Sequence, residues 1–419
     1  MKVLWLCNTT IPTIAKQLNI PASCSGGWLA GAASALSQEN KVHLSICFPL
    51  QNTKELIVGE CEGIQYYGYP ASQKRDHIYD EATEKWLKDV VNRDMPDLVH
   101  IWGTEYPHAL AMTRVFNRPE QTVISIQGLC CHVARHYYGH MKEKEYTTYT
   151  LRDFICRDFL SNKQKTFEQR GLFEREALQN VRHVIGRTRW DRASVKQIAP
   201  HVEYHYCAET LRTSFYENMG KWSLDTCQKH SIFVSQANYP LKGFHLVLEA
   251  LVEILKKYPD AKLFTTGSNP FTRPYFRQTG YKKFVRRKIE KLNLKEHVCF
   301  LGNLNAEQMC QRYLDSHVFV SASSIENSPN SVGEAMLLGV PTVASYVGGT
   351  MDLLADQEEG LLYQSDAPYM LAAHVCSVFD NAELASKMGR KASIKAQGIH
   401  DSQRNLGMLL DIYLDVCKL

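Results

Sequence analysis

Residues 325–341 read I-E-N-S-P-N-S-V-G-E-A-M-L-L-G-V-P. A polar loop leads here into an apolar helical run, which a glycine and a proline end. The pattern predicts Glu326 in the loop and Glu334 in the first helical turn, with Ser331 as a candidate N-cap. Such a helix start presents unpaired backbone N–H groups and a positive dipole end. The stretch therefore predicts a site for a polyhydroxylated, phosphorylated ligand, although an ordinary strand–loop–helix corner with two solvated acids explains it equally well.

Short β-branched runs alternate with helical patterns on both sides of this stretch, which is typical of parallel sheets with crossover helices. The predicted strands cover residues 3–7, 42–48, 98–102, 123–126 and 183–185 in the first half, and 232–235, 262–266, 298–301, 318–321 and 342–345 in the second. We therefore predict an α/β protein with two doubly wound, Rossmann-like sheets. Because ligands bind outside the carboxyl ends of strands in such sheets, we expect the two domains to face a cleft.

The alternating pattern is interrupted at residues 216–230, which places a domain boundary there. We predict a first domain over residues 1–216, a second over 217–400, and a final amphipathic helix over 401–419 that packs back on another element. A long, helical and basic insertion covers residues 133–192, with 13 Lys and Arg against 8 Asp and Glu. This charge indicates a solvated helical face, or alternatively attraction to an anionic acceptor or a membrane surface.

The composition is that of an ordinary globular protein, with 44% hydrophobic and 22% charged residues among 419. A net charge of +4 is too small to indicate nucleic acid as a partner. The sequence has 13 cysteines without a C-x-x-C pair and no apolar run long enough for a membrane span. We therefore expect a cytoplasmic protein, at most peripheral to the inner membrane face, and we see no metal-binding motif.

Glycine-rich corners recur between predicted strands and helices. Gly26 and Gly27 precede a helix of small residues, Lys242 comes directly before a glycine and an apolar helix, and another glycine pair stands at 348–349. The glycine pair at 26–27 alone is more often a tight turn than a phosphate site. At Lys242 a merely solvated lysine is disfavoured, because a lysine opposes the helix dipole at a helix start. Neither G-x-G-x-x-G nor a Walker lysine is present in the first corner, which weakens the dehydrogenase and nucleoside-triphosphatase hypotheses.

Together these features resemble the retaining glycosyltransferases of family 4. The resemblance rests on the early glycine pair, on K-G at 242–243, on the two glutamates with seven residues between them, and on E-A-M-L-L-G-V-P-T-V-A-S followed by V-G-G. It implies the GT-B fold, in which two Rossmann-like domains face a cleft and a C-terminal helix crosses back to the first domain. It also implies transfer of a hexose-type sugar, with retention, from a nucleotide-sugar to a glycan or lipid-linked glycan in cell-envelope, capsular or exopolysaccharide synthesis.

The resemblance also implies roles for individual residues. Lys242 is expected at the donor diphosphate and Glu326 at the sugar hydroxyls, and these two are the candidate catalytic residues. The expected donor-binding residues are Glu334 on the ribose, the amides of Asn330, Ser331 and Val332 on sugar and phosphates, Gly302 and Asn303 beside the base, and Gly26 and Gly27 near the phosphates. A UDP-sugar is favoured over a GDP-sugar, and neither a cofactor nor a metal ion is implied.

The chain departs from the family at two positions. Gln236 stands where the family has an arginine on the diphosphate, so Arg187, Arg189 or Arg273 is a candidate substitute. On the acceptor side, Gln127 stands where the family has a histidine; His132 lies nearby but out of register, and Arg135 belongs to a segment that lines an acceptor groove or packs at an interface. Two alternatives therefore stay open: a nucleotide-sugar epimerase and a catalytically silent nucleotide-sugar-binding subunit.

Overall fold

A computed structural model describes residues 1–21, 27–147 and 149–418, without the side chains of residues 27 and 28. This part of the chain forms two compact units. The first comprises Met1–His132, Thr166–Arg212 and His400–Leu419, and the second Val133–Lys165 and Thr213–Ile399.

The sequence analysis placed the whole basic insertion, residues 133–192, in the first domain. In the structure this insertion is divided between the two units. Residues 133–165 lie in the second unit, where the Nε2 atom of His245 is 2.8 Å from the carbonyl oxygen of Gly139. This buried contact ties the first part of the insertion to the second unit.

The described strands form one sheet in each unit, in the orders β3-β4-β2-β1-β5-β6-β7-β8 and β11-β10-β9-β12-β13-β14. Every neighbouring pair is parallel except the antiparallel pair β3 and β4. The strands are β1 (Lys2–Cys7), β2 (His43–Leu50), β3 (Ile57–Cys61), β4 (Ile64–Pro70), β5 (Leu98–Trp102), β6 (Thr122–Ser125), β7 (His183–Gly186), β8 (Glu203–Tyr206), β9 (Gln228–Val234), β10 (Lys262–Thr265), β11 (Val298–Phe300), β12 (Ser316–Ser321), β13 (Thr342–Ser345) and β14 (Leu361–Tyr363).

Helices connect the parallel strands, as crossover connections require. The described α-helices are α1 (Pro12–Gln17), α2 (Gly27–Ser37), α3 (Glu81–Asp94), α4 (His108–Phe116), α5 (Cys130–His136), α6 (Glu143–Tyr146), α7 (Leu151–Cys156), α8 (Leu160–Gln179), α9 (Arg189–Ile198), α10 (Thr213–Glu217), α11 (Phe244–Lys257), α12 (Gly280–Lys291), α13 (Ala306–Leu314), α14 (Asn330–Leu338), α15 (Thr350–Leu353), α16 (Pro368–Asp380), α17 (Ala382–Ile399) and α18 (Ser402–Cys417). Short 3₁₀ turns occur at Pro119–Gln121, Pro240–Lys242 and Tyr275–Arg277. In the described residues, no helix combines the length and apolar character needed to cross a membrane.

Both faces of the first sheet are buried along its central strands β1, β5, β6 and β7, as expected where helices cover each side. Alternate residues of a strand point to opposite faces, and β1 follows this rule: Leu4 and Leu6 pack in one apolar cluster, Val3 and Trp5 in the other. The β-branched and apolar strand runs in the sequence are therefore explained by burial on both faces.

The final helix, α18, packs on the first sheet. Tyr413 belongs to the same apolar cluster as Trp5, and the indole Nε1 of Trp5 donates a hydrogen bond of 2.9 Å to its hydroxyl. The Nδ1 atom of His100 lies 2.5 Å from the same hydroxyl. The predicted return of the C-terminal helix to the first domain is thus confirmed.

Candidate functional site

The strand order of the second sheet changes direction between β9 and β12. Strands β10 and β11 follow β9 outward to one edge, whereas β13 and β14 follow β12 to the other. Open α/β sheets bind ligands outside the carboxyl ends of their strands at this reversal point. The loop after β9 carries Lys242, and the loop after β12 carries Glu326.

Lys242 and Glu326 form an ion pair between their Nζ and Oε1 atoms. The hydroxyl of Ser323 donates a hydrogen bond of 2.7 Å to the same carboxylate oxygen. Burial is the largest single influence on Lys242 and disfavours its charged form, but Glu326 and Tyr239 together outweigh burial and hold the pKa of Lys242 above its ordinary value. The cation and the carboxylate predicted on separate loops therefore lie in direct contact.

Two glycines allow the loops of the site to approach each other. Gly243 has a φ of 65°, and a Cβ atom there would lie 1.9 Å from the carbonyl oxygen of Ala322. Gly348 has a φ of 49°, and its Cβ would lie 1.9 Å from the carbonyl oxygen of Glu326. Only glycine fits both the conformation and the space. The backbone of Gly349 adds a hydrogen bond of 3.0 Å to the same oxygen of Glu326, so three loops hold the acid in place.

Helix α14 begins at Asn330, with Pro329 as its N-cap. The prediction that Ser331 caps this helix is wrong, because the chain becomes helical one residue earlier. The amide of Val332 donates to the carbonyl oxygen of Pro329 at 2.9 Å, so Asn330 and Ser331 supply the first amides at the positive end of the helix. Glu334 lies in the second turn, not in the predicted first turn, and is 6% exposed.

The remaining donor-side residues of the second unit follow the neighbouring strands. Gln236 comes after β9, and its side chain makes no hydrogen bond with any described residue. Gly302 follows β11 and accepts a hydrogen bond of 2.9 Å from the amide of Gly267. Asn303 is exposed beside it. These residues thus lie at the carboxyl edge that also carries Lys242.

A basic pocket opens at this edge of the second unit and is lined by Asn238, Asn303, Lys163 and Lys282, among others. Burial lowers the pKa of Lys282, and the positive charges of Arg273, Arg152 and Lys163 lower it further. The carboxylate of Asp158, which also lines the pocket, is already paired with Lys163 at 2.9 Å. Concentrated positive charge of this kind favours an anionic ligand.

In the first unit, Gln127 and Arg187 share one partner that the sequence did not reveal, Glu209. The carboxylate of Glu209 accepts a hydrogen bond of 2.6 Å from Gln127 Nε2 and lies 2.7 Å from Arg187 Nη1. The side chains of Arg187 and Glu209 are 6% and 5% exposed. Because separating a buried pair costs about 3–5 kcal/mol, a phosphate-binding role for Arg187 stays a prediction that its present contacts do not favour.

The other predicted residues are more scattered. His132 packs edge-on against Trp190, with ring centroids 5.0 Å apart, in the first unit. Arg135 is exposed on α5 and belongs to the second unit. Gly27 is the first residue of α2, whereas Gly26 lies outside the described residues.

A polar network at the reversal point of the first sheet was missed by the sequence analysis. This point lies between β1 and β5, and Asn8 and Glu105 follow these strands. Asn8 Nδ2 donates to Glu105 at 3.2 Å, and Asn8 Oδ1 lies 2.7 Å from His108 Nε2. Because an amide oxygen only accepts, Nε2 of His108 carries the hydrogen. The sequence contained a signal for this network, namely polar residues that closely follow two of the predicted strands.

Burial shifts the titration of both ionisable members of this network. It raises the pKa of Glu105. It lowers the pKa of His108 to about 4, with a further contribution from the positive charge of Arg170. The imidazole is therefore neutral near pH 7 and acts as a hydrogen-bond donor without charge.

Comparison with known families assigns part of the chain. Residues 215–395 match the family model described as glycosyl transferases group 1. Spore coat protein SA of Bacillus subtilis is 25% identical over 190 residues, which are 44% of this chain and 48% of that protein. A D-inositol 3-phosphate glycosyltransferase of Segniliparus rotundus is 27% identical over 169 residues, 40% of this chain and 36% of that protein. The matched part thus spans less than half the length of either relative.

Solved structures are similar along nearly the whole chain. Sucrose-phosphate synthase from Thermosynechococcus elongatus superposes with a TM-score of 0.68 at 15% identity, over 99% of both chains. Anabaena HepE, in complex with UDP and glucose, gives a TM-score of 0.64 at 15% identity, over 98% of this chain and 99% of that one. Identity at this level shows the fold alone, and that fold is GT-B, as predicted.

Proposed function

Because residues 215–395 match the family model described as glycosyl transferases group 1, we propose that the chain moves a hexose-type sugar from a nucleotide-sugar to an acceptor hydroxyl, with retention at the anomeric carbon. The observation that carries the proposal is the Lys242–Glu326 pair at the reversal point of the second sheet. A cation, a carboxylate and the amides that start α14 border the carboxyl ends of β9 and β12, where an open α/β sheet binds its ligand.

In this proposal the site stabilises the departing nucleoside diphosphate. Lys242 and the positive end of α14 take up the charge that develops when the bond to the sugar breaks. Glu326 accepts hydrogen bonds from sugar hydroxyls and Glu334 from ribose hydroxyls. Ser323, which already donates to Glu326, keeps that carboxylate oriented when Lys242 turns toward phosphate. The acceptor hydroxyl attacks from the face of the leaving group, so we assign no enzymic nucleophile and no cofactor.

Gln236 is uncharged, whereas the family has an arginine on the diphosphate at this position, so one of the two expected cations is missing there. We assign the missing charge to the basic pocket, where Lys282 and Lys163 stand beside Asn238 and Asn303. Lys282 is already hydrogen-bonded to Ser268, which fixes its direction. We favour a UDP-sugar over a GDP-sugar as the donor; the UDP complex of the HepE structure is a precedent in that protein.

The first unit supplies the acceptor side in this proposal. The network of Asn8, Glu105 and His108 offers both donors and acceptors to a sugar hydroxyl at the reversal point of its sheet. We propose a glycan or lipid-linked glycan of the cell envelope, a capsule or an exopolysaccharide as the acceptor. An alpha-monoglucosyldiacylglycerol synthase of Streptococcus pneumoniae, 23% identical over 158 residues, is by its name a relative acting on lipid. A cytoplasmic location, in peripheral contact with the inner membrane face, belongs to the same proposal.

The proposal is tested by a panel of UDP-hexoses and GDP-mannose, with and without a cell-envelope glycan. We expect a UDP-hexose to raise the melting temperature and to be consumed only when the acceptor is present, with the anomeric configuration retained in the product. The proposal fails if no nucleotide-sugar binds. Conversion of the donor without an acceptor would instead identify an epimerase, and binding without turnover would identify the silent subunit that Gln236 suggests.

A further inference from the structure

Two histidines and a glutamate lie together on the last two strands of the first sheet. His183 begins β7 and Glu203 begins the edge strand β8, and the parallel register places them directly opposite each other. His205 lies two residues beyond Glu203 and therefore on the same face of the sheet. Strand pairing alone thus brings three metal-ligating side chains together, although 22 residues separate the histidines in sequence.

The distances within this cluster fit a metal ion. Nδ1 of His183 lies 3.0 Å from Nε2 of His205 and 4.0 Å from a carboxylate oxygen of Glu203. One ligand atom from each residue lies within 4.8 Å of the other two. Two nitrogens bound to zinc at 2.0–2.1 Å are about 3.3 Å apart in tetrahedral geometry, so the imidazoles need to separate by only a few tenths of an ångström. Glu203, whose side chain is 57% exposed, is free to rotate inward.

The charges around the cluster favour a cation. Burial lowers the pKa of both imidazoles, which keeps them in the neutral form that binds metal. The carboxylates of Glu120, near His183, and Asp415, near His205, act in the opposite direction and add negative charge at the site. Arg182 is the opposing cation near His183. Three carboxylates against one guanidinium leave an excess of negative charge around the cluster.

The geometry points to a binding site for one divalent transition-metal ion of the zinc class, held by His183, Glu203 and His205. Two imidazoles and one carboxylate, with a further position open to water, are a ligand set that zinc accepts. The ion would join β7 to the edge strand β8 and thereby brace an edge that is otherwise held on one side only. His183 and Glu203 open their strands, whereas Gln127 and Arg187 follow the carboxyl ends of theirs, so the ion lies at the end of the sheet away from the candidate acceptor residues.

The experiment is a calorimetric titration of the full chain with zinc chloride, after treatment with a chelator that is then removed. We expect the wild-type chain to bind one zinc ion that His183→Ala and His205→Ala do not bind. His43→Ala, an exposed histidine at the start of β2, is the matched control and should titrate like the wild type. Cysteine sites are common to all variants and cancel in the comparison.

A second readout separates loss of the ligand from loss of the fold. Glu203→Gln changes an exposed side chain, so we expect a wild-type melting temperature without metal, with zinc affinity weaker by at least about 10- to 100-fold, the range seen when supporting groups of metal sites are removed. Zinc should raise the melting temperature of the wild type and of His43→Ala but not that of His205→Ala. Equal zinc stoichiometry and affinity in the wild type and His205→Ala would overturn the proposal and leave the two imidazoles as a hydrogen-bonded pair.

Discussion

The ammonium group of Lys242 is in ion-pair contact with Oε1 of Glu326, although 84 residues separate them in the sequence. The contact exists because β9 and β12 are neighbours in the sheet, so the loops that follow them start side by side. Gly243 then lets these two loops meet at backbone distance, and Gly348 brings the loop after β13 equally close to Glu326. The two central residues of the candidate donor site, Lys242 and Glu326, are therefore brought together because β9 and β12 are adjacent where the strand order reverses.

Lys242→Ala should impair both folding and transfer. The carboxylate of Glu326, only 15% exposed in its side chain, loses its cation, and the leaving diphosphate loses its main counter-charge. We expect kcat to fall by about 100- to 1000-fold, as when one preorganised donor is removed elsewhere, together with a lower melting temperature. Lys256→Ala is the matched control, because Lys256 lies on α11 in an exposed pair with Glu253. Equal steady-state kinetics for both variants would contradict the role of Lys242.

Gln236→Arg should add a diphosphate-binding cation at the position where the family has an arginine. A hydrogen bond to a charged group contributes about 1.5–3 kcal/mol, so the dissociation constant for UDP measured by calorimetry should fall by about 10- to 100-fold. Gln228→Arg adds the same charge at the exposed amino end of the same strand and should leave UDP affinity nearly unchanged. If both variants bind UDP alike, Gln236 does not border the phosphates.

Gly348→Ala should destabilise the second unit. Its new Cβ would lie 1.9 Å from the carbonyl oxygen of Glu326, and its φ of 49° is unfavourable for alanine. The loop must shift, so we expect a loss of about 1–3 kcal/mol and a lower melting temperature. Gly398→Ala, within α17 where a Cβ meets nothing within 4 Å, should instead leave stability unchanged or slightly higher. A melting temperature for Gly348→Ala equal to that of the wild type would show that the loops are not in this contact.

Stability should fall on mild acidification, partly through His108. Its pKa is lowered from 6.5 to about 4 by burial and by Arg170, so between these values the unfolded chain binds a proton that the folded chain does not. Stability therefore rises with pH through this window and is lost as the pH falls from 6.5 toward 4. His108→Gln should reduce the slope of unfolding free energy against pH by up to about 1.4 kcal/mol per unit.

Urea unfolding between pH 5 and 7 measures that slope. The exposed residue His43 provides the control, and His43→Gln should keep the wild-type dependence on pH. An unchanged slope in His108→Gln would mean that folding does not lower the pKa of His108, contrary to this account.

The strand pattern was predictable because it is local. Every strand expected from an apolar, β-branched run is present, and all of these strands except β10 and β11 are mostly buried. The four missed strands carry a weaker signal: β8 reads E-Y-H-Y at a sheet edge, β14 has three residues, β3 alternates partly exposed and exposed residues, and β4 reads I-Q-Y-Y-G-Y-P, with one β-branched residue and both a glycine and a proline. Because β8 was not predicted, neither the position of Glu209 after it nor the cluster of His183, Glu203 and His205 on β7 and β8 could be predicted.

The site was predictable in its parts but not in its contacts. Glu326 lies in a loop as expected, and Lys242 is separated from the start of α11 only by Gly243. Their ion pair depends on which strands are neighbours, and that is a long-range property that spacing in the sequence does not encode. The start of α14 differs by one residue from the expectation because Pro329, not Ser331, occupies the N-cap, and helix ends are the least certain part of any pattern.

The affinity of the wild type and of Glu334→Gln for UDP-glucose tests most directly whether the second unit holds a nucleotide-sugar at this edge. Glu334 is buried on α14, and glutamine keeps its size while removing the charge that binds ribose hydroxyls. We predict binding by the wild type and an affinity weaker by about 10- to 100-fold in the variant, equivalent to the 1.5–3 kcal/mol of a charged hydrogen bond. Glu383→Gln, exposed on α17, should bind as the wild type does. Equal affinities in the wild type and Glu334→Gln, or no binding of any nucleotide-sugar, would contradict the account.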